Sequence, residues 1–495
     1  MRRIALMLAL GCAPAAPTGG TPGGGTPAGG TAPGTVAIVG ATVIDMTGAA
    51  PKPGHTILIQ DGRIALVGPD AATTIPAGTP TVDGRGRYVI PGLWDMHVHT
   101  SREGRARYFW PLFLAHGVTG VREMGSYLDT LLYWRSELRR NPAVGPRIVW
   151  SSPMLDGSPP AWKHGLGIRS PDEARTVVDS MRALGFDFLK VYVRLPRDVY
   201  AAIATRAREL GIPFAGHVPG SITPTEAADA GQRSIEHLSG IYPSCVRGAV
   251  ELRDSMRQAS RAGVRADSIQ AMERRLLRLA LEGYDAGVCA ALFQRFVSRG
   301  TWQVPTLVVG RGHVMVRDTA MRRDPRRVFV PSALAARWEA DAARSAARAV
   351  SRLEFDEELH RRETALVGTM HRAGVRMLVG TDASDEPYVY AGSSVHDEMV
   401  LLAEAGLPPA AVLAAATVGP AEYLGLSDSL GTIEAGKAAE LVVLDGDPLA
   451  DISNVRRVHA VVSRGRVIGP AARDSLIALA RTEAARAVPS PPAQQ

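Results

Sequence analysis

From residue 36 onward the chain breaks into short apolar runs separated by turn residues. Val36-Ala-Ile-Val39, Thr42-Val-Ile44, His55-Thr-Ile-Leu-Ile59 and Ile64-Ala-Leu-Val67 read as strands, punctuated by Gly40, Gly48, Gly54 and the turn Asp61-Gly62. The same texture returns late in the chain, in Glu440-Leu-Val-Val-Leu444, the turn Asp445-Gly446, and Ala460-Val-Val-Ser463 before Gly465. These two β-rich pieces, residues 35–90 and 430–468, are expected to meet as one small β-sandwich split by everything between them.

Between them, residues 91–429 alternate short apolar runs with longer helical patterns. Eight candidate strands lie near residues 93–99, 118–122, 147–151, 187–193, 213–217, 233–237, 302–308 and 376–382. Helical segments such as Pro171–Leu184 and Arg197–Leu210 intervene. Ser170-Pro171-Asp172-Glu173 is a helix start with a serine cap, proline in the first turn and acids beside it. Strand and helix alternating eight times predict an α/β fold, a (β/α)8 TIM barrel. Two long excursions interrupt the rhythm, at about 245–300 and 310–370, and both are helical. They are either a cap over the barrel mouth or helices facing water.

Of the 495 residues, 46% are hydrophobic and 21% charged, a globular composition. The net charge is +7. The excess sits in residues 245–362, which hold many arginines and no lysine. No motif for reading nucleic acid accompanies it, so no nucleic-acid partner is expected. Arg2 and Arg3 precede the apolar stretch Ile4–Leu10, then Gly11 and Cys12. This reads as an export signal over 1–12, with Cys12 as a possible site of lipid attachment. Residues 13–34 contain only Ala, Gly, Pro and Thr and form a flexible tether. Residues 469–495 are a C-terminal helix and tail. The expected location is outside the cytoplasm, periplasmic or anchored to a membrane as a lipoprotein. There Cys245 and Cys289 are free to pair, although the sequence does not establish that they do.

The chemistry gathers at strand ends. The first barrel strand ends Asp95-Met-His97-Val-His99, and alternation puts both imidazoles on one face, about 7 Å apart along the strand. The fourth carries Lys190, an odd residue for an apolar strand. The fifth ends Gly216-His217, the sixth Glu236-His237, the eighth Gly380-Thr-Asp382. In a barrel these ends converge on one mouth. The remaining histidines, among them His164, His313 and His360, fit no strand end and read as structural or surface groups.

These motifs carry a resemblance. Pro91-Gly-Leu-Trp-Asp95-Met-His97-Val-His99, Gly216-His217-Val, Ile235-Glu-His237-Leu, Gly380-Thr-Asp382 and the run Leu430–Leu444 make the chain similar to the metal-dependent amidohydrolase superfamily, in its imidazolonepropionase-like and Xaa-Pro dipeptidase-like branch. The resemblance covers about residues 36–468. It implies two divalent cations, with zinc expected. His97, His99 and Asp382 would hold the first, and His217 and His237 the second. Lys190, carboxylated by carbon dioxide to a carbamate, would bridge them. A carbamate suits that place because an ammonium cannot ligate, whereas two oxygens bearing a negative charge can.

The resemblance further implies hydrolysis of a C–N amide bond by a metal-activated hydroxide, with Asp382 as general base and then acid and Lys190 within the catalytic centre. The expected substrate is a small molecule, a dipeptide or an N-acyl amino acid. Tyr192 and Arg194, near the end of the fourth strand, are candidate substrate contacts, since arginine pairs well with carboxylates. Two other functions remain open. One keeps the fold as a single-metal cyclic amidohydrolase or deaminase with unmodified Lys190; the other is an exported, non-catalytic binding protein.

Overall fold

The structure is a computed structural model that describes residues 34–487, apart from 249–254, 256, 257, 259–265, 316, 317, 349, 384 and 385. The predicted export signal, all but the last residue of the tether, and the tail beyond residue 487 lie outside the described residues.

Both ends of the chain join one eight-stranded, largely antiparallel sheet. Its order is Arg466–Ile468, Val458–Ser463, Leu441–Leu444, Tyr88–Pro91, Val36–Val43, Lys52–Gln60 and Arg63–Pro69, with Thr81–Asp83 paired beside Val36–Val43. The two halves meet where Tyr88–Pro91 runs antiparallel to Leu441–Leu444, Ile90 opposite Val442. The apolar positions that alternate along these strands share a core that includes Ile38, Val43, Ile57, Ile59, Leu441 and Val462, all buried.

The second sheet is the barrel. Seven parallel strands follow one another: Leu93–Val98, Val118–Glu123, Arg147–Gly157, Phe188–Val191, Phe214–Gly216, Ser234–Glu236 and Trp302–Val304. The eighth segment closes the ring without forming a regular strand. It makes bridges from Met377 to Gln303 and from Ala383 to Val98, and Met96 N donates to Val379 O at 2.8 Å. Gly380 permits this approach, because a Cβ there would lie 2.4 Å from Val304 Cγ1 and 3.0 Å from His97 Cβ.

The seventh strand is shorter than its apolar run predicts. Pro305 has no N–H to give the ladder, and Thr306 turns into the left-handed region at φ 51°. The rest of the run becomes the helix Leu307–Val314. The helix predicted from Pro171 runs Pro171–Ala183, with Ser170 Oγ accepting from Glu173 N at 3.2 Å.

Within the first excursion lie the helices Ala266–Glu282 and Ala286–Arg299. A disulfide joins Cys245 to Cys289. The second holds the long helices Ser332–Ala346 and Val350–Arg372. His360 and Glu363 of the latter line the cavity at the barrel mouth, so this excursion covers the mouth instead of lying apart in water.

Candidate metal centre

The strand ends bring three of the predicted histidines onto the carboxylate of a fourth predicted residue, Asp382. Asp382 Oδ1 lies 3.5 Å from His97 Nε2 and 3.3 Å from His99 Nε2, and Asp382 Oδ2 lies 3.9 Å from His237 Nε2. One donor atom each from His97, His237 and Asp382 fall within 4.8 Å of one another, a spacing fit for a cation.

Partners on the far side of each ring fix its tautomer. His97 Nδ1 is 2.7 Å from Glu236 Oε2. That carboxylate is held by Arg122 at 2.9 Å and can only accept, so Nδ1 carries the proton. His99 Nδ1 faces both the carbonyl of Gly125 at 2.8 Å and the Arg102 guanidinium at 3.2 Å; the shorter contact, to an oxygen that can only accept, takes the proton. Thr306 Oγ1 spends its own proton on Pro305 O, so it accepts from His237 Nδ1 at 2.7 Å. In all three rings Nε2 is therefore left as an unprotonated acceptor aimed at the cavity, the form that binds a metal. Asp95 ties the two edges of the ring together: it accepts from His97 N and from Thr381 N and Oγ1.

Electrostatics agree with neutral imidazoles. Burial, reinforced by the Lys190 charge, pushes His97 and His217 well below the usual imidazole value. Burial and Arg102 do the same to His99. His237 falls to about 3 through burial and Lys190. Burial also lowers Lys190 to about 8 against the pull of Glu236 and Asp382. Lys190 is completely buried, and among the described residues its Nζ has no hydrogen-bond partner; His97 Nε2 and His217 Nδ1 likewise lack one. Three buried polar atoms without partners, on nitrogen-bearing side chains at the barrel's strand ends, are what a metal centre needs and what a packed core avoids. The donor set fits divalent cations.

The backbone is strained at the same place. His237, Leu238, Thr306 and Asp382 all have positive φ, between 51° and 59°, and all line the cavity. Residues without glycine's freedom hold that conformation only where the surroundings impose it, commonly at functional sites.

The cavity measures about 340 Å³. Tyr192 lines it, packed edge-on against His217 with ring centroids 4.4 Å apart, and its hydroxyl accepts from Trp162 Nε1 at 2.9 Å. Arg194, the other candidate substrate contact, is not among the residues that line this cavity. Asp156 takes its backbone N–H at 2.6 Å, and its exposed guanidinium donates to the carbonyls of Pro159 and Pro160 at 3.2 and 3.3 Å. His313 and His360, read from the sequence as structural or surface groups, are part of the cavity wall, as are Arg102 and Glu363. Arg102 lies only three positions after His99, a signal the sequence did offer. The other three sit on helices whose placement over the barrel no local pattern reveals.

Comparison with known proteins supplies a family. The model of the "Amidohydrolase family" matches residues 88–468. Bottromycin amidohydrolase is similar in structure, with a TM-score of 0.70 at 26% identity over 92% of this chain and 94% of that one. A solved Xaa-Pro dipeptidase with methionine bound in its active site gives a TM-score of 0.64 at 20% identity, over 88% of this chain and all (100%) of the other. Adenine deaminase 3 of Rhizobium meliloti (strain 1021) is 55% identical over 49 residues, which is 10% of this chain and 8% of the deaminase. The chain thus spans only a small part of the length of that curated relative.

Proposed function

This chain belongs to the amidohydrolase family, and from that premise we propose that it is a metal-dependent hydrolase that cleaves the C–N amide bond of a dipeptide or an N-acyl amino acid. The observation that carries this reading is the convergence of three Nε2 atoms, each with its tautomer fixed, on Asp382. His97, His99 and Asp382 would hold one cation, and His217 and His237 a second. Lys190 would lie between them as a carbamate. When bound, two zinc-like cations supply an acidified water and polarise the scissile carbonyl.

The chain's own groups do the rest. Burial keeps a fraction of Lys190 as the neutral amine, and only that form adds carbon dioxide, losing one proton as the carbamate forms. Asp382, at the cavity wall and 14% exposed, accepts a proton from the attacking water. It returns that proton to the leaving nitrogen as the C–N bond breaks. Glu236, Gly125 and Thr306 keep the three imidazoles facing inward throughout. Tyr192 and Trp162 wall one side and narrow the approach.

The stretch similar to an adenine deaminase favours a second reading, a single-metal deaminase or cyclic amidohydrolase with unmodified Lys190. One experiment separates the two. Protein loaded with zinc in the presence of bicarbonate is analysed for metal and offered a library of dipeptides and N-acyl amino acids. About two metals per chain with amine release supports the first reading. One metal per chain, and no amine released from any member, overturns it.

We also propose that the protein is exported and held at a membrane by lipid on Cys12. The Cys245–Cys289 disulfide supports this, because such bonds persist in oxidising compartments. Cys12→Ser is expected to move the protein from the membrane fraction to the soluble fraction. An unchanged distribution would count against the anchor.

A further inference from the structure

The cavity over the metal ligands continues into a second chamber of about 600 Å³, walled by the helices of the second excursion. Trp162, Gly310, His313, His360, Glu363 and Glu386 line both spaces and so form the junction between them. Part of this junction is internally satisfied. His313 Nε2 donates to Glu386 Oε2 at 2.8 Å, and that contact raises the imidazole's pKa. In the outer chamber Arg348 and Arg352 pair with Asp356, at 3.5 and 3.0 Å.

Glu363 is different. It stands one turn after His360 on the helix Val350–Arg372, half-buried against the cavity. Among the described residues it makes no hydrogen bond and no ion pair. The arginines next to it in sequence are committed elsewhere: Arg361 Nε and Arg362 Nε both donate to Glu358, at 2.8 and 2.7 Å. Burial alone pushes the Glu363 carboxyl up to about 7. A carboxylate drawn out of water with no cation beside it is unfavourable. It is also on the path into the site, where a cation arriving with a ligand relieves it.

We propose that Glu363 receives the free α-ammonium of the substrate while the adjoining amide carbonyl reaches the His97, His99, His237 and Asp382 cluster. This rests on the amide-hydrolase reading above and sharpens it. Dipeptides carry that ammonium and N-acyl amino acids do not, so Glu363 selects between two substrate classes that the metal centre treats alike. Glu363 acts as a specificity determinant. It takes no part in bond cleavage.

The test uses matched pairs, alanyl-X and propionyl-X, over a panel of C-terminal residues X, with the metal-loaded full chain. Each pair differs by the ammonium group alone. In the wild type the alanyl member is expected to win in kcat/KM by about tenfold or more, chiefly through KM. In Glu363→Gln the ratio within each pair is expected to fall towards one, and in Glu363→Asp to remain partly. Because a ratio does not depend on the fraction of folded protein, impaired folding does not mimic this result. A ratio unchanged by Glu363→Gln, or a wild type that favours the propionyl members, overturns the assignment of Glu363 while leaving amide hydrolysis standing. If the wild type cleaves no pair at all, the amide-hydrolase reading falls, and this one with it.

Discussion

Replacing Glu236 by glutamine tests whether the imidazoles are held for a cation. The glutamate is fully buried and accepts four contacts at its two oxygens: His97 Nδ1 at 2.7 Å, Ser234 Oγ at 2.5 Å, and Arg122 Nη2 at 2.9 Å to each oxygen. Glutamine keeps the shape but loses the charge, and it offers one acceptor and one donor head. At least one of those contacts then sets a donor against a donor. Arg122, also fully buried, loses its counter-charge. Breaking a buried pair from one side costs about 3–5 kcal/mol, and the isosteric amide recovers part of that. If the amide nitrogen faces His97, the ring must accept at Nδ1 and carry its proton on Nε2. The lone pair aimed at Asp382 is then gone. Affinity for the cation is expected to fall about 10- to 100-fold, the range for a lost orienting partner. Competition with a chelator measures the affinity, and denaturant unfolding measures the stability. A variant that binds metal within about twofold of wild type, with less than about 1 kcal/mol of destabilisation, would refute the reasoning.

Three further outcomes follow from the same contacts. Lys190→Ala is expected to retain no more than about one metal ion per chain and to lose about two orders of magnitude in turnover; two ions and full turnover would remove the bridge. Asp397 is nearly buried, and burial alone would raise its pKa, but Arg326 at 2.7 Å, Arg456 at 2.8 Å and Arg311 at 3.2 Å outweigh that and hold it well below the usual 3.8. A depressed carboxylate adds stability above its unfolded pKa and loses it as pH falls through the folded value. Asp397→Asn should therefore destabilise at pH about 7 and progressively less below pH about 4; a penalty that is flat with pH across denaturant titrations would contradict this. Gly216 has φ 142°, and a Cβ there would lie 2.1 Å from Val191 O, so Gly216→Ala should displace His217, seen as lowered melting temperature and a lost second metal. A variant as stable and as metal-rich as wild type would show the strand tolerates the shift.

The sequence and the structure agree most closely where a short motif coincides with a strand end. His97 and His99 share a face because a strand alternates. Their convergence with His237 and Asp382 follows from barrel closure, which the eightfold rhythm already implied. Arg194 shows the limit of that logic. It stands only two positions after Tyr192, yet Asp156 takes its backbone N–H and its guanidinium donates to two proline carbonyls. Adjacency to a strand end fixes a Cα, not the direction of a long side chain. His313, His360 and Glu363 were illegible for another reason. Their helices are positioned by packing between distant segments, and nothing in a local window encodes that. The closing segment 376–382 was legible as apolar, but its irregular pairing depends on how closely Gly380 lets it approach His97.

The antiparallel seam between Tyr88–Pro91 and Leu441–Leu444 joins partners roughly 350 positions apart. During synthesis the early strands must wait, with an open edge, until Leu444 has emerged. Such distant pairing closes slowly, and an unmatched edge invites the wrong partner meanwhile. Anything that stops the ribosome or clips the chain before Leu444 therefore leaves a sticky intermediate in place of a shortened enzyme.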